Sequence, residues 1–114
     1  MKSHNSYSRH ITPLDRALMT YFGFRVLPQY APMLEAIRIV TAAGKRITGP
    51  EVAKVIGVTG TAPLYWVNNL LEKGLIVAGP VSKDRPRATS RGRPLYLTEV
   101  GKVLLAAHPY TPDA

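Results

Sequence analysis

The 114-residue sequence contains no cysteine. That absence removes disulfides, thiolate nucleophiles and cysteine-ligated zinc, and with them any sign of an oxidising compartment. Acidic residues are scarce as well: seven Asp and Glu stand against fifteen Lys and Arg, a formal charge of +8 with a pI near 10.1. Such an excess favours a polyanionic partner, nucleic acid first, the alternative being charge that serves solubility alone. No apolar run approaches the ~18 residues that span a bilayer, and no apolar segment follows Lys2 as it would in a secretory leader. The sequence therefore reads as a cytoplasmic protein with no membrane partner. Histidine is limited to His4, His10 and His108, near the ends. The carboxylates are scattered, no nucleophile has a base at a recognisable spacing, and Gly44-Lys45 lacks the glycine-rich loop that a phosphate-binding lysine needs. An enzyme is not expected, nor is a metal or a cofactor.

What is present reads as one domain, long enough to bury a modest core. Residues 1–12 are polar and mildly basic and are expected to form a flexible arm, residues 13–108 the folded domain, and residues 109–114 a tail. Thr12-Pro13-Leu14-Asp15 has the composition of a helix start: an N-cap hydroxyl, proline at the first position and a carboxylate at the positive end of the dipole. Leu14, Leu18, Tyr21 and Phe22 follow at helical spacing. After a break punctuated by Gly23 and Pro28, a second helix is predicted from about Pro32 to Ala43, with Met33, Ile37 and Val40 as its apolar stripe and Gly44 as its left-handed terminator.

Thr48-Gly49-Pro50-Glu51 forms a capping box and predicts a short helix with Val52, Ala53 and Ile56 on its buried face, ended by Gly57. A further helix starts at Thr59 or Thr61, because Pro63 fits a first turn and no later one. Pro63, Val67 and Leu70 are spaced to face a core, and Trp66 to lie at its edge. Thr61, Leu64, Tyr65, Asn68 and Asn69 are left on or near the outward side, and Gly74 closes the helix. Two strands follow. Between them, from Ser82 to Pro94, stand Lys83, Arg85, Arg87, Arg91 and Arg93 against Asp84 alone, a net +4 that is half of the whole chain's charge. Val100, Val103, Leu104 and Ala107 then form a last apolar stripe.

This order of elements resembles the winged helix-turn-helix of MarR-like and PadR-like transcriptional regulators. Gly57-Val58-Thr59 matches their turn, Glu72-Lys73-Gly74-Leu75-Ile76 the end of their recognition helix, and Arg91-Gly92-Arg93-Pro94-Leu95-Tyr96-Leu97-Thr98-Glu99 the returning strand and following helix. The resemblance covers roughly residues 32–107. It implies a fold that is mainly α with a small β-hairpin wing, here with extra N-terminal and C-terminal helices. The function implied is sequence-specific binding of double-stranded DNA by a repressor. Two features depart from the pattern. Those recognition helices often present Arg, Ser or Gln, where this one presents Tyr65, Asn68 and Asn69. The C-terminal part is also too short for the long dimerisation helices of those families.

Candidate contacts follow from chemistry as well. Asparagine can pair in bidentate fashion with adenine in the major groove, and apolar groups can meet thymine methyls. Thr59, Thr61, Tyr65, Asn68 and Asn69 are accordingly candidate major-groove residues, the alternative being solvated asparagines and packing aromatics. Lys83, Arg85, Arg87, Arg91, Gly92 and Arg93 are candidates for backbone and minor groove, where arginine is favoured. Arg-Gly-Arg-Pro also resembles the core of an AT-hook, against the reading of a turn whose charges keep a hairpin soluble. A homodimer is expected because one helix and one wing read few base pairs. Its surfaces would be the Leu14–Phe22 and Val100–Ala107 stripes, unless the two pack on each other within one chain. The sequence is silent on any small-molecule effector. A protein-docking module and an architectural or replication-associated DNA binder of low specificity are the alternative readings.

Overall fold

The computed structural model describes residues 12–22, 27, 29–58, 62–79 and 93–111, with the side chains of Tyr21 and Phe22 excepted. Five helices and one hairpin make up this part: α1 Pro13–Phe22, α2 Tyr30–Ala42, α3 Gly49–Ile56, α4 Ala62–Glu72, β1 Ile76–Ala78, β2 Leu95–Leu97 and α5 Glu99–Ala107. The mainly helical architecture with a two-strand hairpin is the one expected from the sequence.

Helix α1 begins as its composition dictates. The Asp15 carboxylate accepts from the Thr12 backbone N–H at 2.8 Å and from the Thr12 hydroxyl at 2.7 Å, while the Asp15 N–H donates to that hydroxyl at 3.2 Å. Both residues are buried, so these bonds stand in for the water that the carboxylate gives up. Leu14 and Leu18 are fully buried against α2 and α5. For these two residues this corrects the expectation of a dimer surface, since the face they occupy is filled by the chain's own core; the side chains of Tyr21 and Phe22, the rest of that stripe, lie outside the described residues.

Helix α2 starts at Tyr30, two residues earlier than expected, since Pro32 is accommodated inside the first turn, where its missing N–H costs nothing. Met33, Leu34 and Ile37 lie fully buried along it, making α2 the central element on which α1, α3, β2 and α5 all pack. Gly44, Gly57 and Gly74 end α2, α3 and α4 in the left-handed region, at φ of 76°, 79° and 77°, a conformation open to glycine without steric cost.

The hairpin is antiparallel, with Ile76 opposite Leu97, Val77 opposite Tyr96 and Ala78 opposite Leu95. A third segment, not expected from the sequence, joins it. Thr48 bridges Pro94, and the Leu95 N–H donates to the Ile47 carbonyl at 2.8 Å. Alternation explains the packing: Ile76, Leu95 and Leu97 point inward, Val77 outward.

Helix α5 is tied to the end of α4 through Thr98. Its hydroxyl accepts from the Gly101 N–H at 3.1 Å as an N-cap and donates to the Gly74 carbonyl at 2.6 Å, while its own N–H donates to Leu75 at 3.0 Å. Gly101 and Leu105 supply the buried face of α5, leaving Val100 and Val103 exposed. A Cβ on Gly101 would collide with the Leu75 carbonyl oxygen, so glycine is needed for this close approach. Gly101→Ala is therefore expected to destabilise the fold by about 1–3 kcal/mol in denaturant titrations. An unchanged midpoint would show that the α5 junction is looser than described.

Candidate nucleic-acid interface

From Thr48 to Glu72 two helices, α3 and α4, follow one another and pack together. Thr48 opens α3 with a capping box in which the Glu51 carboxylate reaches back to the Thr48 N–H at 2.8 Å and also accepts from its hydroxyl at 3.1 Å. Gly57 closes α3, with the Val58 N–H donating to Ala53 at 2.9 Å. Residues 59–61, which include the candidate contacts Thr59 and Thr61, lie outside the described residues.

Helix α4 is held by Pro63, Val67 and Leu70, all buried. Full burial of a valine or leucine side chain is worth about 1.5–3 kcal/mol, enough for this stripe to decide which way the helix faces. Trp66 and Leu71 are partly buried against the same core, as the spacing predicted for the tryptophan. Opposite them, Tyr65 is 66% exposed and Asn68 is exposed as well. Residues three apart share a helix face, so the phenol and the amide form one surface. Glu72, four residues beyond Asn68 and also exposed, puts a carboxylate at the C-terminal end of that line. A polyanion would thus approach the N-terminal half of α4, the half from which recognition helices touch bases.

Asn69 is placed differently from Asn68. It is half-buried, and its Nδ2 donates to the Oη of Tyr30 at 2.9 Å, across 39 residues of sequence. Its amide is engaged inside the protein rather than presented beside Asn68. No spacing or motif in the sequence joins these two residues; the packing of α2 against the helix-turn-helix does.

Of the wing candidates, Arg93 is described and exposed; Lys83, Arg85, Arg87, Arg91 and Gly92 lie outside the described residues. The base of the wing is well tied. The Gly79 N–H donates to the Pro94 carbonyl at 2.7 Å, and Pro94 bridges Thr48. The residue that caps α3 therefore also anchors the strand emerging from the basic segment, and the wing base is held at a set distance from the helix-turn-helix. On α2, Arg38 is bound by Glu35 through two bonds of 2.9 and 2.7 Å, and that hydrogen bonding raises its pKa above the ordinary value. Its charge is matched locally.

Solved structures share this arrangement. A MepR variant from S. aureus bound to an oligodeoxyribonucleotide superposes with a TM-score of 0.63 at 21% identity, over 82% of this chain and 61% of that one. The fold is the MarR-type winged helix. MarR from E. coli in its apo form matches with a TM-score of 0.56 at 25% identity, over 82% of this chain and 64% of its own. MepR, a transcription regulator of the S. aureus multidrug efflux pump MepA, matches at 0.57 and 20% identity, over 82% and 63%. The winged-helix chain described here thus spans about three fifths of the length of the solved chains it matches. No protein-family model and no curated protein sequence matches it. Among the described residues no helix is long and apolar enough to cross a membrane.

If Asn68 reads a base, Asn68→Ala should relax preference at one or two base pairs by about 1–3 kcal/mol, leaving other positions as they were. Site selection from random duplex, run on wild type and variant in parallel, checks this. Uniform weakening across all sequences would instead make Asn68 a backbone contact.

Proposed function

We propose that this protein is a transcriptional regulator that binds double-stranded DNA sequence-specifically and represses by occupying a promoter. Helix α4 with the turn before it, residues 59–73, enters the major groove, and residues 82–94 contact the phosphate backbone and minor groove. The observation that carries the reading is the outward surface of α4. A buried stripe holds the helix while Tyr65 and Asn68, able to meet a thymine methyl and an adenine edge, stand exposed within its first two turns. Support comes from the basic segment, Lys83, Arg85, Arg87, Arg91 and Arg93, which lies in sequence between β1 and β2. The oligodeoxyribonucleotide bound to the MepR variant is consistent with it.

Charge concentrated in this way must displace several condensed counterions. Log affinity for duplex is expected to fall linearly with log salt at roughly −0.9 per phosphate contacted. Replacing Arg91 and Arg93 together by Ala should flatten that slope and weaken sites with A·T-rich flanks most. Fluorescence anisotropy over a salt series measures both effects; no binding to a random duplex pool at ~50 mM salt would sink the DNA reading.

The active species in this proposal is a homodimer on a two-fold symmetric site, which doubles the base pairs read. With Leu14 and Leu18 inside the core, the exposed large apolar side chains among the described residues of the terminal helices are Met19 on α1 and Val100 and Val103 on α5, and the α5 edge is the surface proposed for the dimer. Light scattering at micromolar concentration is expected to give the mass of two chains, and of one chain for Val103→Glu with its helical circular dichroism intact. A wild-type mass of one chain would remove the dimer and require tandem sites.

A further inference from the structure

The hydrogen bond between Asn69 and Tyr30 has a geometric consequence for the surface beside it. Tyr30 is 2% exposed and sits at the first position of α2, and its phenolic oxygen accepts from the Asn69 amide at 2.9 Å. Asn69 lies four residues after Tyr65 and one after Asn68, which places it about 40° around the helix from Tyr65 and about 100° from Asn68. It therefore occupies the flank where the outward face of α4 turns toward the core. The buried stripe of Pro63, Val67 and Leu70 consists of apolar contacts, which tolerate small rotations because they are not directional. A hydrogen bond is directional and weakens steeply when misaligned. A rotation of 20° about the helix axis would swing a side-chain tip ~6 Å from that axis by about 2 Å, more than base-edge hydrogen bonds allow.

We infer that Tyr30 is a positioning residue for DNA recognition: through Asn69 it sets the rotation of α4, and so the aim of Tyr65 and Asn68, without touching DNA itself. The inference rests on the proposed reading of α4 as the recognition helix. It separates the two adjacent asparagines by role, Asn68 meeting bases and Asn69 holding the helix. It also makes the start of α2, 39 residues away in sequence, a determinant of specificity.

The test is a double-mutant cycle on the full chain with Tyr30→Phe, Asn69→Ala and the pair, using the preferred duplex from site selection and a random duplex as probes. The readout is the ratio of the two dissociation constants. A variant that merely lowers the folded fraction weakens both affinities by the same factor and leaves their ratio unchanged. Tyr30→Phe keeps the ring and its packing and removes only the hydroxyl. The ratio is expected to fall roughly tenfold, about the value of one good base contact, with non-specific affinity and its salt slope retained. Asn69→Ala should reproduce that fall, and the pair should fall no further than Tyr30→Phe alone, because the Asn69–Tyr30 bond is lost in all three. Preference should broaden at every base pair met by Tyr65 and Asn68 rather than at one. An unchanged ratio in Tyr30→Phe, or additive losses in the pair, would overturn the positioning role and leave Asn69 either a direct contact or a bystander. A wild-type chain that discriminates no sequence would overturn the recognition surface itself, and this inference with it.

Discussion

An amphipathic helix eleven residues long can bury only one stripe, and in α4 that stripe is Pro63, Val67 and Leu70. Once those three are inside, helical geometry leaves Tyr65 outward with the two asparagines on either side of it and Trp66 and Leu71 at the edges, and the bond to Tyr30 then draws Asn69 toward the core while Asn68 stays exposed. The rest of the fold supplies the walls of the socket. Helix α2 packs on α3, α3 on α4, and the end of α4 runs into β1. A side chain too large at Val67 or too polar at Leu70 would change the exposed face as well as the stability, because it would turn the helix that bears that face.

Two threonines convert this socket into a larger rigid unit. Thr48 caps α3 and bridges Pro94 at the base of the wing. Thr98 caps α5 while its hydroxyl and N–H bind the Gly74 and Leu75 carbonyls just past α4. Each satisfies orphan groups at a helix end and at the same time fastens that end to a different element. The start of α3, the wing base, the end of α4 and the start of α5 are consequently fixed to one another. A partner held by α4 and the wing base would find those two already spaced, which spares the cost of ordering them on contact.

Much of this was legible in sequence because its signals are local. The Thr48–Glu51 box, the three terminating glycines and the Pro63, Val67, Leu70 spacing each concern residues within a few positions of one another, and helix existence, order and buried face follow from them. The winged-helix resemblance extended the reading to the hairpin. What escaped was set by tertiary packing. Leu14 and Leu18 read from sequence as a dimer seam, with a core face as the alternative, since periodicity identifies an apolar face without saying what covers it. The dominant inward face of α5 is Gly101 and Leu105, hidden because a glycine carries no hydrophobic signal although its lack of a Cβ permits a close approach to the Leu75 carbonyl. The pairing of Ile47 and Thr48 with Pro94 and Leu95, and that of Asn69 with Tyr30, join residues dozens of positions apart and have no sequence pattern. Adjacent asparagines with identical chemistry were therefore assigned the same outward role, where the packing of α2 distinguishes them.

The proposed function places the outward face of α4 against DNA bases. Titrating isotope-labelled protein with its preferred duplex and following backbone and side-chain amide resonances tests it most directly. The largest perturbations are expected at Tyr65 and Asn68, and smaller ones along residues 82–94, with α1 and α5 nearly unchanged. Perturbations concentrated on Val100 and Val103 of α5, with α4 silent, would contradict the account.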